Sequence, residues 1–172
     1  MMDAQVIFDA PAVDAALDRM AEAMRSDEIW LVGIQRGGAR VADALQKRLE
    51  SGGSQVHRGN LDISFYRDDL DTVGPNPQVR PTRLPFDVGG KSVWLVDDVL
   101  YTGRTVRAAL GEIFDYGRPA AVRLAVLVDR GGRELPIAAD VVGLMHKAPA
   151  GCSVKLVTDR PGWHVLQRRV RP

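Results

Sequence analysis

Val93-Trp94-Leu95-Val96-Asp97-Asp98-Val99-Leu100-Tyr101-Thr102-Gly103-Arg104-Thr105 passes from apolar to acidic to hydroxylated within a short span. Val93 to Val96 reads as a buried strand that delivers two adjacent acids, Asp97 and Asp98, to its carboxyl end. A turn containing Thr102 and Gly103 then opens a helix over 105–116, with Gly117 as its C-cap. Unpaired N–H groups at a helix start, together with the helix dipole, bind anions. Gly103 lets the backbone come close to such an anion, and the Thr102 and Thr105 hydroxyls can add bonds worth roughly 1.5–3 kcal/mol each when the partner is charged. Two carboxylates beside a phosphate repel it unless they serve hydroxyls, a metal, or a positive charge that develops during reaction. A ribose phosphate satisfies both halves of the motif, with its phosphate on the helix start and its ring hydroxyls on Asp97 and Asp98. A turn with solvated acids is the plainer alternative, and the number of adjacent positions the pattern fixes weighs against it.

Outward from this segment the same alternation recurs. Asp9 followed by Pro11 reads as a helix start, and Val13, Leu17, Met20 and Met24 repeat at helical spacing. Asp14, Asp18 and Glu22 form an acidic stripe on that helix, expected to be a solvated face. Ile29 to Ile34 is a short apolar run ending in Gln35-Arg36-Gly37-Gly38, and a helix with Val41, Leu45 and Leu49 on one face follows. Leu61, Ile63 and Phe65 alternate with Asp62, Ser64 and Tyr66, which predicts a strand over 61–66. Val122 to Val128 and Val141 to Leu144 are further buried strands. Val154 to Val157 and Trp163 to Gln167 predict a terminal hairpin around Asp159-Arg160-Pro161-Gly162. Alternating buried strands and helices imply an α/β fold with a mainly parallel sheet flanked by helices. Ligands in such sheets bind beyond the carboxyl ends of the strands, so the loops after Ile34, Val96 and Val128 are the candidate site loops.

The stretch from Asp68 to Gly90 breaks the pattern. It holds four of the ten prolines and few recurring apolar residues, the composition of a lid or of a long hairpin with an irregular tip. The whole chain, 172 residues with 45% apolar and 26% charged residues, suits one domain with a real core. No apolar run reaches the ~18 residues of a membrane span, the start lacks signal-peptide character, and Cys152 is alone, so a cytoplasmic location is the expectation. Net charge is +1, with 19 Arg against 4 Lys. That balance does not announce a nucleic-acid binder, although Arg suits phosphate recognition. His57, His146 and His164 show no metal-ligand spacing, and Trp30, Trp94 and Trp163 read as packing residues.

The segment around Asp97 resembles the signature of type I phosphoribosyltransferases, enzymes that use 5-phosphoribosyl-1-pyrophosphate (PRPP). With the flanks Leu61-Asp62-Ile63-Ser64-Phe65-Tyr66-Arg67-Asp68-Asp69-Leu70 and Leu124 to Ile137, which contains Asp129-Arg130-Gly131-Gly132-Arg133-Glu134-Leu135-Pro136, it looks like the PyrR family over roughly residues 5 to 145. That family combines uracil phosphoribosyltransferase activity with RNA-dependent control of pyrimidine genes. The resemblance implies a single domain over residues 1–172. Its core would span about 11–145, its mobile loop 67–90, and its small hood the terminal segments, about 146–172 and the N-terminus. It implies that uracil displaces pyrophosphate from PRPP to give UMP, with Mg²⁺ bound through PRPP near Asp97, Asp98 and Asp129. Asp97 and Asp98 match the catalytic acids. Leu100, Tyr101, Thr102, Gly103, Arg104 and Thr105 match the 5′-phosphate loop, and Gln35, Arg36, Gly37 and Gly38 occupy the pyrophosphate loop. Arg67, Asp68, Arg80 and Arg83 belong to the lid, and Val128, Asp129 and Arg130 to the base side. A homo-oligomer, a dimer or larger, is implied as well.

Two departures stand out. PyrR relatives usually read Thr-Arg-Gly in the pyrophosphate loop, where this chain has Arg36-Gly37-Gly38, so its arginine stands one place early. The first helix carries acids where RNA-binding relatives present neutral or basic groups, and Gly132, Ala138 and Leu144 stand at positions often basic, while Arg19 and Arg133 remain. An acidic stripe repels phosphates, which argues against RNA binding. A PyrR-like RNA-binding attenuator with little catalysis and a transferase for another base, such as orotate or a purine, stay open as alternatives. A receiver-like domain would share the acids but leaves Thr102 to Thr105 unexplained, and no Walker A sequence occurs.

Overall fold

The computed structural model describes residues 4–63, 82–159 and 161–170. Its centre is a five-stranded, wholly parallel sheet in the order β3-β2-β4-β5-β6. The strands are β2 (Glu28–Ile34), β3 (Gln55–Leu61), β4 (Ser92–Leu100), β5 (Ala121–Asp129) and β6 (Val141–Met145). The chain leaves β2 in one direction, to β3, and leaves β4 in the other, to β5. The order therefore reverses between β2 and β4, and a crevice opens at their carboxyl ends. Pairing of β2 with β4 stops at Gly33↔Val96, whereas β4 stays paired with β5 as far as Leu100↔Asp129. Asp97 and Asp98 thus lie inside an extended β4, not in a loop after Val96 as the sequence suggested. Continued pairing with β5 keeps that stretch straight.

Helices cover both faces. α1 (Ala10–Met24) and α2 (Gly37–Ser51) lie on one side, and α3 (Arg104–Asp115) on the other. Alternate strand residues divide accordingly. Ile29, Leu31, Val96, Ala125 and Leu127 join Val13, Leu17, Met20, Leu45 and Leu49 in one core. Val32, Ile34, Val93, Leu95 and Val126 join Val106, Ala109 and Ile113 in the other. Each fully buried aliphatic side chain contributes about 1.5–3 kcal/mol. α1 starts where expected: Asp9 accepts the Ala12 N–H at 3.1 Å and Pro11 sits in the first turn. α3 ends at Asp115 with Tyr116, not Gly117, as its C-cap; Gly117 follows at φ 147°.

Three further expectations are revised. The strand predicted over 61–66 is instead β3, which ends at Leu61; residues 64–66 lie outside the described residues. Its sequence Gln-Val-His-Arg-Gly-Asn-Leu has little apolar signal because, among the described residues, β3 pairs along its length with β2 alone and otherwise meets an isolated bridge to Arg83. The acidic stripe of α1 is not merely solvated: Arg48 of α2 donates to Asp18 at 2.7 Å and also to Asp14. The expected loop 67–90 is anchored at its end, where Arg83 exchanges backbone bonds with Asn60 at 2.8 and 2.9 Å and Val88 is fully buried; Arg67, Asp68 and Arg80 lie outside the described residues. A second, three-stranded antiparallel sheet, β1-β8-β7, unites β1 (Ala4–Phe8), unforeseen, with the predicted hairpin of β7 (Cys152–Val157) and β8 (His164–Arg169). Its Val154 and Val165 enter the first core.

Gly33 sits where α2 crosses β2, and a Cβ there would stand 2.6 Å from Ala39 Cα, a backbone atom. Gly33→Ala is expected to lower the unfolding free energy by about 1–3 kcal/mol through overpacking, read as a drop in the urea midpoint at constant slope. An unchanged midpoint would show that the helix can back away.

Candidate active site

Glycine packing builds the crevice between β2 and β4. α2 begins directly after β2, at Gly37. A Cβ on Gly37 would overlap the Asp98 carboxyl, and one on Gly38 would overlap the Val96 carbonyl and stand 2.9 Å from Asp97 Cα. Only bare backbone lets the helix start rest on the acidic end of β4. The N-cap residue Arg36 makes no side-chain cap bond, so the first-turn N–H groups of α2 keep their capacity for an anion. Arg36 itself is exposed, and its peptide bond to Gln35 is cis; Gln35 N–H donates to Leu61 O at 2.9 Å.

The carboxylates are oriented by their own backbone. Asp97 Oδ1 accepts the Asp98 N–H and Asp98 Oδ1 accepts the Val99 N–H, both at 2.9 Å. Asp97 is buried, and Asp98, half-buried, meets Gly37. Successive strand residues project to opposite faces, so the two acids flank the strand end on different sides.

The turn after β4 starts a second helix into the same crevice. Gly103, at φ 93°, takes the left-handed conformation that glycine tolerates best, with Ile137 against it. Thr102 Oγ1 accepts the Arg104 N–H at 3.2 Å, leaving its hydroxyl proton to donate, and α3 has no other side-chain cap. The segment after β5 clamps this turn. Glu134 N–H and Leu135 N–H both donate to Thr102 O, at 2.9 and 3.1 Å, and Glu134 pairs with Arg104 at 2.8 Å. Sequence reasoning assigned neither Glu134 nor Ile137 a part. Their place directly after the Asp129-Arg130 strand end was the available signal.

Arg133, which the sequence left as a candidate RNA contact, is the brace of that clamp. Its guanidinium donates to Tyr101 O at 2.8 Å, to Ile137 O at 2.9 Å and to Asp129. The other Asp129 oxygen accepts Gly131 N–H at 2.9 Å, so Asp129 is turned to its own loop. Arg130 is buried, lies 3.8 Å over the Tyr101 ring and donates to Cys152 O at 2.7 Å, tying β5 to the small sheet. Leu100 and Val128 have core side chains, which restricts any contact with a ligand to their backbone. The structure thus gathers Gln35 to Gly38, Asp97, Asp98 and Tyr101 to Thr105 at one sheet end. Arg83 is instead held against β3.

Residues 3–155 match the phosphoribosyl transferase domain family. Over 143 residues the chain is 58% identical to "Bifunctional protein PyrR" of Nitrosococcus oceani, covering 83% of this chain and 80% of the relative. The chain belongs to the PyrR family of phosphoribosyltransferases. The PyrR protein of Pseudomonas aeruginosa is 48% identical over 161 residues, 90% of this chain and 92% of that one. Among solved structures, the hypoxanthine phosphoribosyltransferase of Trypanosoma cruzi superposes with a TM-score of 0.72 at 18% identity, over 97% of each chain. The type I phosphoribosyltransferase fold expected from the sequence is therefore the fold observed, and the PyrR membership makes the strand-end crevice the place to seek its chemistry.

The Arg133 brace makes a direct prediction. Arg133→Met should cost about 1–3 kcal/mol of stability, the scale of lost charge-assisted bonds in a part-buried setting, and weaken UMP binding as the Thr102 turn loosens. Urea unfolding and a UMP titration check both; wild-type values in both would remove the brace.

Proposed function

We propose that this chain transfers the 5-phosphoribosyl group of PRPP to uracil, giving UMP and pyrophosphate. The bond from the anomeric carbon to the pyrophosphate oxygen breaks, a bond to uracil N1 forms, and the N1 proton leaves. The observation that supports this reading best is the meeting of two side-chain-poor helix starts on either side of the Asp97–Asp98 strand end. One start, at Thr102 to Thr105, suits the 5′-phosphate. The other, at Gln35 to Gly38 with Arg36, suits pyrophosphate bound through backbone N–H groups. Asp97 and Asp98 accept from the ribose hydroxyls between them and favour the positive charge that develops on the ring as the leaving group departs. The β1-β8-β7 sheet, the proposed hood, would cover the base, and Arg130 fixes its position relative to Tyr101.

Mg²⁺ suits this donor set. Among the described residues no group of three or more His, Cys, Asp or Glu side chains could hold a metal alone. A single strand-end carboxylate completed by substrate oxygens matches an ion that takes one or two protein carboxylates and keeps substrate or water as its other ligands. Asp98, on the side of the α2 start, would hold it, with Asp97 on the other side of the strand, and Mg²⁺ when bound would supply charge neutralisation for the departing pyrophosphate. Asp129, committed to Arg133 and Gly131, serves the loop instead.

Uracil as the base rests on membership of the PyrR family, and the family resemblance implies a homo-oligomer. Among the described residues no helix is long and apolar enough to cross a membrane. A product assay with PRPP, Mg²⁺ and a panel of bases tests the reaction: uracil should give UMP, whereas turnover of orotate or hypoxanthine alone would overturn the base assignment. Asp98→Asn should lower turnover about 10²–10³-fold, the scale for one preorganised electrostatic group, with PRPP binding falling less. Near-normal turnover would take Asp98 out of the mechanism.

The word "bifunctional" in the relatives' names raises the regulatory reading, UMP-responsive RNA binding, and the side-chain network speaks against it here. Asp14 and Asp18 hold Arg48, Arg19 donates to Gly143 O at 3.1 Å, and Arg133 is spent within its own loop. We expect weak binding of a pyrimidine-leader stem-loop in the presence of UMP, with a shallow salt dependence, because Arg19 and Arg133, the basic residues expected on the RNA face, are engaged within the chain. Tight, steeply salt-dependent binding would show that another face, such as the exposed Arg168 and Arg169 of β8, reads RNA.

A further inference from the structure

Arg58, on β3, has its guanidinium pulled below its ordinary pKa by burial, with Asp43 opposing the shift. Its side chain is 13% exposed. Nη2 donates to Ala39 O at 2.9 Å and to Asp43 Oδ1 at 3.0 Å, Nε donates to Asp43 Oδ1 at 3.2 Å, and Nη1 donates to Gly59 O. Ala39 and Asp43 stand four residues apart, on successive turns of one α2 face. Gly33 makes room for the grip, since a Cβ there would stand 3.0 Å from Arg58 Nη2 as well as against Ala39.

A buried cation is a poor choice for stability alone, because an apolar side chain of similar volume often does as well or better. What the fork gives that an apolar chain cannot is direction. It holds the backbone of α2 two residues after Gly37, within the turn whose N–H groups face the crevice. We propose that Arg58 is a positioning residue for the pyrophosphate end of the site: it fixes the first turn of α2, and so Gly37 and Gly38, against the Asp97–Asp98 strand end. Arg58 acts through the helix and not by touching substrate. The inference rests on the phosphoribosyl-transfer reading and adds to it a residue that neither the strand-end motifs nor the resemblance pointed to.

The two anion sites provide the test, because the α3 phosphate turn lies across β4 from this grip. Magnesium pyrophosphate and UMP are titrated separately by calorimetry into the full-length wild type, Arg58→Met, Arg58→Lys and Asp43→Ala, alongside the KM for PRPP. Arg58→Met should weaken magnesium pyrophosphate about tenfold, the scale of one lost charge-assisted hydrogen bond, and raise the PRPP KM in parallel. UMP affinity should stay within about twofold, a difference well under 1 kcal/mol. Arg58→Lys should recover part of the loss. Asp43 is 64% exposed, so Asp43→Ala keeps the fold and should show a smaller loss of the same selectivity. Equal weakening of both ligands, or of neither, in Arg58→Met, or in Asp43→Ala if the methionine variant does not fold, overturns the positioning role. A wild type that neither binds magnesium pyrophosphate nor consumes PRPP overturns the transfer reading itself, and the inference with it.

Discussion

The start of α2 rests directly on the carboxyl end of β4, and this contact sets the geometry of everything around it. Helix and strand come this close because Gly37 and Gly38 present no side chain to β4, while Gly33 lets the same helix cross β2. The close approach puts backbone N–H donors beside two carboxylates, groups that attract opposite kinds of partner. A substrate carrying a phosphate-rich leaving group on a hydroxylated ring satisfies both at once. The chemistry of the crevice therefore follows from a packing constraint, and the packing constraint follows from three glycines.

Around that contact the remaining parts act as supports. The parallel order β3-β2-β4-β5-β6 opens the crevice at the strand switch. β5 carries β4 beyond the end of β2, so Asp97 and Asp98 stand on a paired, straight strand. The segment after β5 folds back on the Thr102 turn through Glu134, Leu135 and Arg133. Arg58 does the corresponding work beneath α2. Each support runs from a region outside the crevice to a backbone group that lines it, as a site needing sub-ångström placement requires.

Much of the fold was legible because its signals are local. The period of Val13, Leu17, Met20 and Met24, the Asp9 cap, and the four apolar residues before Asp97 each report on their own segment. Val13, Leu17, Met20, Met24, Val93, Leu95 and Val96 are buried, and Asp9 caps α1. β3 was misplaced because an edge strand tolerates Gln, His, Arg and Asn, which leaves no alternation to read. β1 escaped notice because its meaning lies in pairing with β8, more than 150 residues on. The site divided in the same way. Asp97, Asp98 and Thr102 to Thr105 are contiguous and were readable, whereas the role of Gly37 depends on what it meets across the crevice. Arg133 looked like a surface cation because nothing in the sequence says that Tyr101 O and Ile137 O converge on it. The resemblance to PyrR pointed to Gln35 to Gly38 as the pyrophosphate loop, but not to the Asp98 carboxyl that a side chain at position 37 would meet.

That contact is open to a direct measurement. Gly37→Ala adds one methyl group at the helix–strand contact and removes no polar group. Its PRPP turnover, measured beside its UMP affinity and urea midpoint, isolates the contact. The account predicts turnover lower by about 10²-fold, the scale expected when a catalytic group is misplaced by about 1 Å, with UMP affinity near wild type. Wild-type turnover in a folded Gly37→Ala protein would contradict it, because the close approach of α2 to Asp98 would then play no part in the reaction.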